Sequence, residues 1–194
     1  MPQEIRNCVY QGSLNTLLFK LNKNSTWRKL FGNEQEDSRM RDLEFILRFL
    51  ALNQTSILES DKSNISLKKY LNEFMGNNGN NSEPKILEFE NDFIQTLELV
   101  NTQFSDVAFY NVQSNDLTTI RKRFYPTIFD SIMIATSIAR KRGVIINEPN
   151  EMARLNLLRD TDYRRYCSEG TMQTEHIKGR VNLALKNLYN IENE

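Results

Sequence analysis

The chain has 194 residues, in which 25 lysines and arginines are balanced by 25 aspartates and glutamates, with one histidine and two cysteines. A balanced charge excludes a protein whose whole surface attracts nucleic acid or an anionic membrane, and leaves only local patches open. A single histidine excludes histidine-rich metal sites. Two cysteines far apart in sequence are typical of reduced thiols in a cytoplasmic protein.

Apolar periodicity and capping residues predict helices along almost the whole chain. The predicted helices cover residues 2–10, 14–21, 26–31, 40–52, a stretch from 63 or 66 to 75, then 85–104, 127–139, 148–158, 162–167 and a last helix from Thr171 or Thr174. Residues 107–112 alternate weakly and form at most a short extended piece. We therefore expect an all-α fold, a multi-helix orthogonal bundle around a buried central helix, with little or no sheet.

The predicted central helix, Met40–Leu52, carries apolar residues on all of its faces, which is the pattern of a helix buried in a core. Its charged residues Arg41, Glu44 and Arg48 are spaced by three and four, so they form one stripe along it. Buried charges are costly unless they are paired and hydrogen-bonded. This stripe is therefore either a structural network or a functional seam. The residues expected at the centre of the core are Phe45, Ile46, Phe49 and Leu50.

The clearest break in the pattern is the segment 76–84, which is rich in asparagine and glycine and has no apolar anchor. Such a composition predicts a mobile loop. We expect a single helical domain, residues 1–194, in which this loop separates two helical subregions.

Few residues form a pattern that is typical of catalysis or of ligand binding. No glycine-rich phosphate loop, zinc-ligand spacing or serine or cysteine nucleophile beside a usable histidine is found in the sequence, and His176 is most simply a surface residue. We expect no catalytic residue, no metal and no cofactor. The basic stretch Arg121-Lys122-Arg123 precedes Phe124 and Tyr125, a combination that suits a phosphate contact but also a solvated loop beside core aromatics.

Several stretches of the sequence carry a resemblance to a known family. These stretches are Gln3-Glu-Ile-Arg-Asn7, Gly12, Leu17, Leu18, Trp27-Arg-Lys-Leu30, Arg39-Met-Arg-Asp42 and Glu44–Leu52, and further on Phe129–Ile132, Asp162-Tyr-Arg164, Glu169-Gly-Thr171 and Ile177–Leu188. They resemble the region after the nuclease-like part of ParB-like proteins that bear a DGQQR motif. This family includes GmrSD-type type IV restriction enzymes and SspE-like phage-defence proteins.

The DGQQR motif itself is absent from this sequence, as are the paired histidines and asparagines of the HNH-type nuclease that some relatives carry. The resemblance therefore implies the helical half alone, as a split-off subunit, a truncated gene or an excised piece. It implies no nucleotide hydrolysis and no nicking by this chain. The expected partner is a ParB-like nucleotide-binding domain, in cis or in trans.

Three functions remain open at this point. The first is a non-catalytic helical module of a DNA-targeting restriction or phage-defence system, which braces the nucleotide-binding domain. The residues expected at that joint are Glu4, Arg6 and Asn7, supported by Arg41, Glu44 and Arg48. The second is a DNA-contacting domain that uses Arg121, Lys122 and Arg123. The third, an enzyme in its own right, lacks an acid, base or metal-ligand set. No run of about 20 apolar residues is found, so we expect no membrane partner.

Overall fold

A computed structural model describes residues 3–54 and 63–192. The ten helices in this part of the chain are α1 (Gln3–Val9), α2 (Ser13–Asn22), α3 (Ser25–Phe31), α4 (Arg41–Leu52), α5 (Leu67–Asn78), α6 (Glu83–Phe104), α7 (Pro126–Lys141), α8 (Glu151–Arg159), α9 (Thr161–Ser168) and α10 (Thr174–Tyr189). A 3-10 turn, Ser105–Val107, follows α6, and the strands β1 (Tyr110–Val112) and β2 (Ile120–Phe124) form one antiparallel hairpin. The prediction of an all-α fold with little sheet is confirmed.

Helix α4 lies at the centre of the N-terminal half, where it packs against α1, α2, α5, α6 and α7. Ile46, Phe49 and Leu50 are buried in the core as predicted, whereas Phe45 is only partly buried and packs against its edge. The all-round apolar pattern of α4 is thus explained, because it has neighbours on every side.

Helix α10 is the corresponding centre of the C-terminal half and packs against α7, α8 and α9. Its predicted apolar stripe, spaced by three or four residues, faces inward. The members of this stripe, all buried, are Ile177, Val181, Leu185 and Leu188. Helices α6 and α7 contribute to both halves, so the buried side chains form one continuous cluster.

The predicted loop 76–84 is shorter in the structure. Helix α5 continues to Asn78 and α6 begins at Glu83, so only residues 79–82 lie between them. The carbonyl of Gly79 accepts bonds from the Ser13 hydroxyl (3.3 Å) and the Leu14 amide (3.2 Å). Gly12 has a φ of 127°, and a Cβ there would collide with Gly79 and Asn80. This turn is therefore packed against the start of α2, and its mobility stays a prediction.

The hairpin was not predicted as such, although its first strand falls within the expected extended piece. In its register Asn111 lies opposite Arg121, and a bulge separates this pair from the Tyr110–Phe124 pair. Phe124 anchors the hairpin, because its ring lies 5.5 Å from that of Phe129 and 4.7 Å from that of Phe45 in an aromatic cluster. Two α8 arginines hold it from the other side. Arg154 donates to the carbonyl of Tyr110 (3.0 Å) and Arg159 to the carbonyl of Leu117 (3.0 Å).

Candidate functional site

Helix α1 turns its polar side chains into the domain. Arg6 is 1 % exposed and donates from Nε to the Asn72 Oδ1 atom (3.0 Å) and from Nη1 to Gln3 Oε1, while the same Nη1 lies 3.3 Å from Glu44 Oε2. Gln3 Nε2 donates to the buried Asn7 Oδ1 atom at 2.6 Å. Arg6 and Asn7, which the sequence suggested as a joint to a partner, therefore belong to an internal network of hydrogen bonds.

The opposite side of α1 carries its apolar residues. Ile5 and Val9 lie one helical turn apart and are 50 % and 59 % exposed, with the exposed Cys8 beside them, while Glu4 is partly buried. A surface helix ordinarily buries its apolar face and exposes its polar one. Because α1 does the reverse, its outward face is the unusual surface of this helix.

The predicted seam on α4 divides into three separate contacts. Arg41 is exposed and pairs with Asp37 (2.6 Å), and this hydrogen bond lowers the pKa of Asp37 below its usual range. Glu44 meets Arg6, as described above, and Arg48 pairs with Asp130 on α7. These three residues follow one side of α4, as their spacing predicts, but each of them has a different partner.

A group of buried charges lies between α4, α7 and α10. Asp130 is fully buried and accepts bonds from Arg48 Nε (3.2 Å) and Nη2, while Arg180 Nη2 lies 3.7 Å from its Oδ2 atom. Arg180 donates from Nη1 to the carbonyl of Thr171 (3.0 Å), but its Nε and Nη2 atoms have no hydrogen-bond partner among the described residues. Burial lowers the pKa of Arg180, and the negative charge of Asp130 opposes this shift by raising it. Two cations here share one anion.

The side chains next to Arg180 are kept neutral by burial. Burial raises the pKa of the Tyr163 hydroxyl well above its usual range, and this hydroxyl lies 2.6 Å from Ser131 Oγ. Burial likewise raises the pKa of the Cys167 thiol to about 11. A thiol that stays protonated is a poor nucleophile, so this cysteine is not set up for covalent catalysis.

A second buried network, which the sequence reasoning missed, joins α2, α3 and α4. Asp42 is fully buried and its Oδ2 atom accepts bonds from Arg28 Nη1 (2.9 Å), Asn22 Nδ2 (3.1 Å) and the Asp37 amide (2.9 Å). The Asn22 Oδ1 atom accepts from the Trp27 indole at 3.0 Å. Because the Asp42 carboxylate receives so many donors, this network is structural.

The basic stretch predicted as a phosphate contact forms most of strand β2. Arg121, Lys122 and Arg123 are all exposed, and none of them has an ion pair within residues 3–54 and 63–192. The guanidinium carbon of Arg123 lies 5.9 Å from the centre of the Tyr125 ring. The structure therefore brings these three cations together on an exposed edge beside an aromatic ring.

An open groove of about 530 Å³ lies between the hairpin, the start of α7 and helix α9. Asn111 and Tyr125 line its hairpin side, and Arg164, Arg165 and Glu169 line the α9 side. Arg165 is exposed and pairs with Asp162 (3.1 Å). Arg164 is partly buried, and its side chain has neither an ion pair nor a hydrogen bond to any described residue.

No group of three or more histidine, cysteine, aspartate or glutamate side chains in the described part of the chain is placed to hold a metal ion. His176 is exposed, and its Nδ1 atom lies 2.7 Å from the carbonyl of Glu169. No helix among the described residues is long and apolar enough to cross a membrane.

Comparison of the chain with protein-family models, with curated proteins and with solved structures finds no match. The geometry of the chain itself is therefore what bears on its function.

Two features of the structure were not predicted from the sequence. Arg164 and Arg165 stand inside a short amphipathic helix, where they look like ordinary surface residues, and only the fold brings the hairpin next to them. Asp130 did leave a signal, since it is the one acid within the otherwise apolar helix 127–139. Its two arginine partners are 82 and 50 residues away, beyond what periodicity predicts.

Proposed function

We propose that this chain is a non-catalytic helical module that docks onto a partner protein through the outward face of α1. The partner that the resemblance implies is a ParB-like nucleotide-binding domain of a GmrSD-like restriction or phage-defence system. The observation that carries the proposal is the reversed orientation of α1, with Arg6 and Asn7 inside and Ile5 and Val9 outside. When a partner covers apolar side chains that are exposed to water, the free energy falls, which favours binding.

This proposal moves the joint from one side of α1 to the other. Arg6 and Asn7 are occupied inside the domain, so they support the helix rather than reach a partner. Ile5, Cys8 and Val9 are accessible and supply the apolar centre that a protein interface needs. Glu4 lies at the edge of this face, where a polar rim is expected.

The test is binding of a purified ParB-like, DGQQR-bearing protein from the same genome to the wild-type chain and to an Ile5→Gln/Val9→Gln variant. Glutamine is a good helix former and both sites are exposed, so the free energy of unfolding should change by no more than about 0.5 kcal/mol. Binding measured by calorimetry should fall at least tenfold. Leu87→Gln, which changes an apolar residue of α6 that is 48 % exposed, is the matched control and should bind normally.

Equal binding by the wild type and the double variant would contradict the proposal, as would an absence of any binding. Self-association of the wild-type chain that the double variant abolishes would show a second copy on this face instead. The proposal also expects the isolated chain to hydrolyse no nucleotide and cut no DNA. Turnover that disappears on a point substitution in this chain would contradict that part.

A second candidate function is contact with nucleic acid through Arg121, Lys122 and Arg123. It is favoured by the exposure of these cations and by the lack of an acidic partner for them among the described residues. Phosphate contacts release counterions, so the binding should weaken steeply as salt is raised. The test is fluorescence anisotropy with labelled DNA at several salt concentrations. Substitution of all three residues by glutamine should lower both the affinity and its salt dependence, and unchanged binding would contradict this candidate.

A further inference from the structure

The groove beside the hairpin contains a cation that its own surroundings leave uncompensated. Arg164 is partly buried in the wall of the groove, and no acid in the described parts of the chain pairs with it. A guanidinium withdrawn from water favours an anion with planar, bidentate acceptors, above all phosphate or carboxylate. Glu169 is the sole acid among the described residues that line the groove, and Asp162 nearby is already paired with Arg165.

The exposed cations of β2 do not line the groove, but two of them adjoin residues that do. Asn111 lines the groove and lies directly opposite Arg121 in the hairpin register, so these two side chains share one face of the hairpin. Arg123 lies over the Tyr125 ring, which also lines the groove. The cations of β2 therefore lie beside residues of the hairpin side of the groove, and Arg164 lines its α9 side.

We infer that this groove binds single-stranded nucleic acid, with one phosphate on Arg164, neighbouring phosphates on the cations of β2 and a base stacked on Tyr125. The inference rests on the second candidate function and gives it a site and a ligand. A positively charged groove that carries an aromatic ring is the usual arrangement for sequence-tolerant binding of single strands.

Two observations favour a single strand over the other phosphate ligands. Arg121, Lys122 and Arg123 are three consecutive exposed cations of β2, which suits more than one phosphate of a chain. A free nucleotide would occupy the groove but leave the cations of β2 unused. A duplex keeps its bases stacked inside, so it cannot place one on Tyr125.

The experiment measures the affinity of a labelled oligothymidylate by fluorescence anisotropy for the wild type and two groove variants. Arg164→Gln removes one charged contact and should weaken binding by about 10- to 100-fold. It should also lower the slope of log affinity against log salt by about 0.7. Tyr125→Leu keeps apolar volume but removes the ring, and should weaken binding by about 5- to 150-fold.

Matched controls accompany each variant. Tyr125→Phe keeps the ring and should bind like the wild type. Arg142→Gln makes the same change at an exposed arginine outside the groove, after the end of α7, and should also bind normally. Thermal melting confirms that each variant is folded. If Tyr125→Leu does not fold, the inference is decided by Arg164→Gln, whose side chain has no partner to lose among the described residues.

The outcomes separate this inference from the function on which it rests. If glutamine substitution of the β2 cations weakens binding while Arg164→Gln and Tyr125→Leu bind normally, the groove inference is wrong and the hairpin contact stands. If the wild type binds no nucleic acid, both are wrong. Equal affinity for a duplex of the same length, or full displacement of the strand by ATP, also overturns the inference.

Discussion

The buried group Arg48, Asp130 and Arg180 gives the sharpest stability prediction. Asp130→Asn preserves the shape of the side chain but removes the only negative charge that faces the two guanidinium groups in the described part of the protein. Removal of one partner from a buried ion pair typically lowers the free energy of unfolding by about 3–5 kcal/mol, because it leaves an uncompensated charge in the interior. Here two cations are left, with exposures of 7 % and 0 %.

The expected loss therefore lies in the upper part of that range, about 4–5 kcal/mol. For a chain of this length each kcal/mol corresponds to about 2–4 °C, so the melting temperature should fall by about 8–20 °C. Equilibrium unfolding in urea at neutral pH measures the free energy directly, and the variant should lower the midpoint without a change in slope.

Asp92→Asn is the matched control, since it makes the same chemical change in a more accessible cluster. Asp92 pairs with Arg140 (2.5 Å) and Lys141 (2.6 Å), whose side chains are 19 % and 50 % exposed. Water solvates the cations left behind, so the loss should be only about 1–2 kcal/mol. Equal losses for the two variants, or a loss below about 1 kcal/mol for Asp130→Asn, would refute the reasoning.

The two arginines beside Asp130 should behave differently from each other. Arg48 donates two hydrogen bonds to Asp130, whereas two nitrogen atoms of Arg180 have no hydrogen-bond partner within the described residues. Arg180→Met should therefore cost less stability than Arg48→Met. The double variant Asp130→Asn/Arg180→Met should lose less free energy of unfolding than the sum of the two single variants. The reason is that only one buried cation, Arg48, is then left without an anion.

Three further predictions concern the core, the turn after α5 and the thiols. Leu50→Ala, at a core position 2 % exposed, should lower the free energy of unfolding by about 2–5 kcal/mol in the same urea assay, and a loss below about 1 kcal/mol would contradict its central place. Limited proteolysis should cut within residues 76–84 before it cuts within α4, and the reverse order would overturn the predicted mobility. Cys167, whose pKa burial raises to about 11, should react with a thiol reagent at pH 8 far more slowly than the exposed Cys8, and equal rates would contradict this.

The sequence was sufficient to predict the helices where apolar periodicity is strong. The central and last helices were predicted to within a few residues, because each buries a stripe of large side chains that no loop could bury. The end of α5 was predicted at residue 75, whereas the helix continues to Asn78. Asparagine and glycine are poor helix formers, yet Gly76, Asn77 and Asn78 are helical, and a Cβ on Gly76 would lie 3.5 Å from the Tyr10 ring. Packing against Tyr10, the residue after α1, accompanies this helical end despite the low local propensity.

The candidate sites were less predictable, since they depend on contacts between distant parts of the chain. The spacing of Arg41, Glu44 and Arg48 correctly places them along one side of α4, but it carries no information about partners. On α1, Arg6 and Asn7 were predicted at the joint to a partner, whereas both lie inside the domain. The exposed basic strand was recognised because three adjacent cations form a local signal, whereas only the fold shows that Arg164 lines a groove beside the hairpin.

The charges on α4 have a consequence for how the fold is specified. A helix that is apolar on all sides packs almost equally well at several rotations about its axis, because burial is non-directional. Asp42, Glu44 and Arg48 each bond to a different neighbour, namely α3, α1 and α7. Only one rotation satisfies all three contacts, and any other leaves buried charges unpaired, at about 3–5 kcal/mol for each. The polar residues that make this helix look anomalous in the sequence therefore fix its orientation, and through Arg6 they fix which face of α1 is exposed.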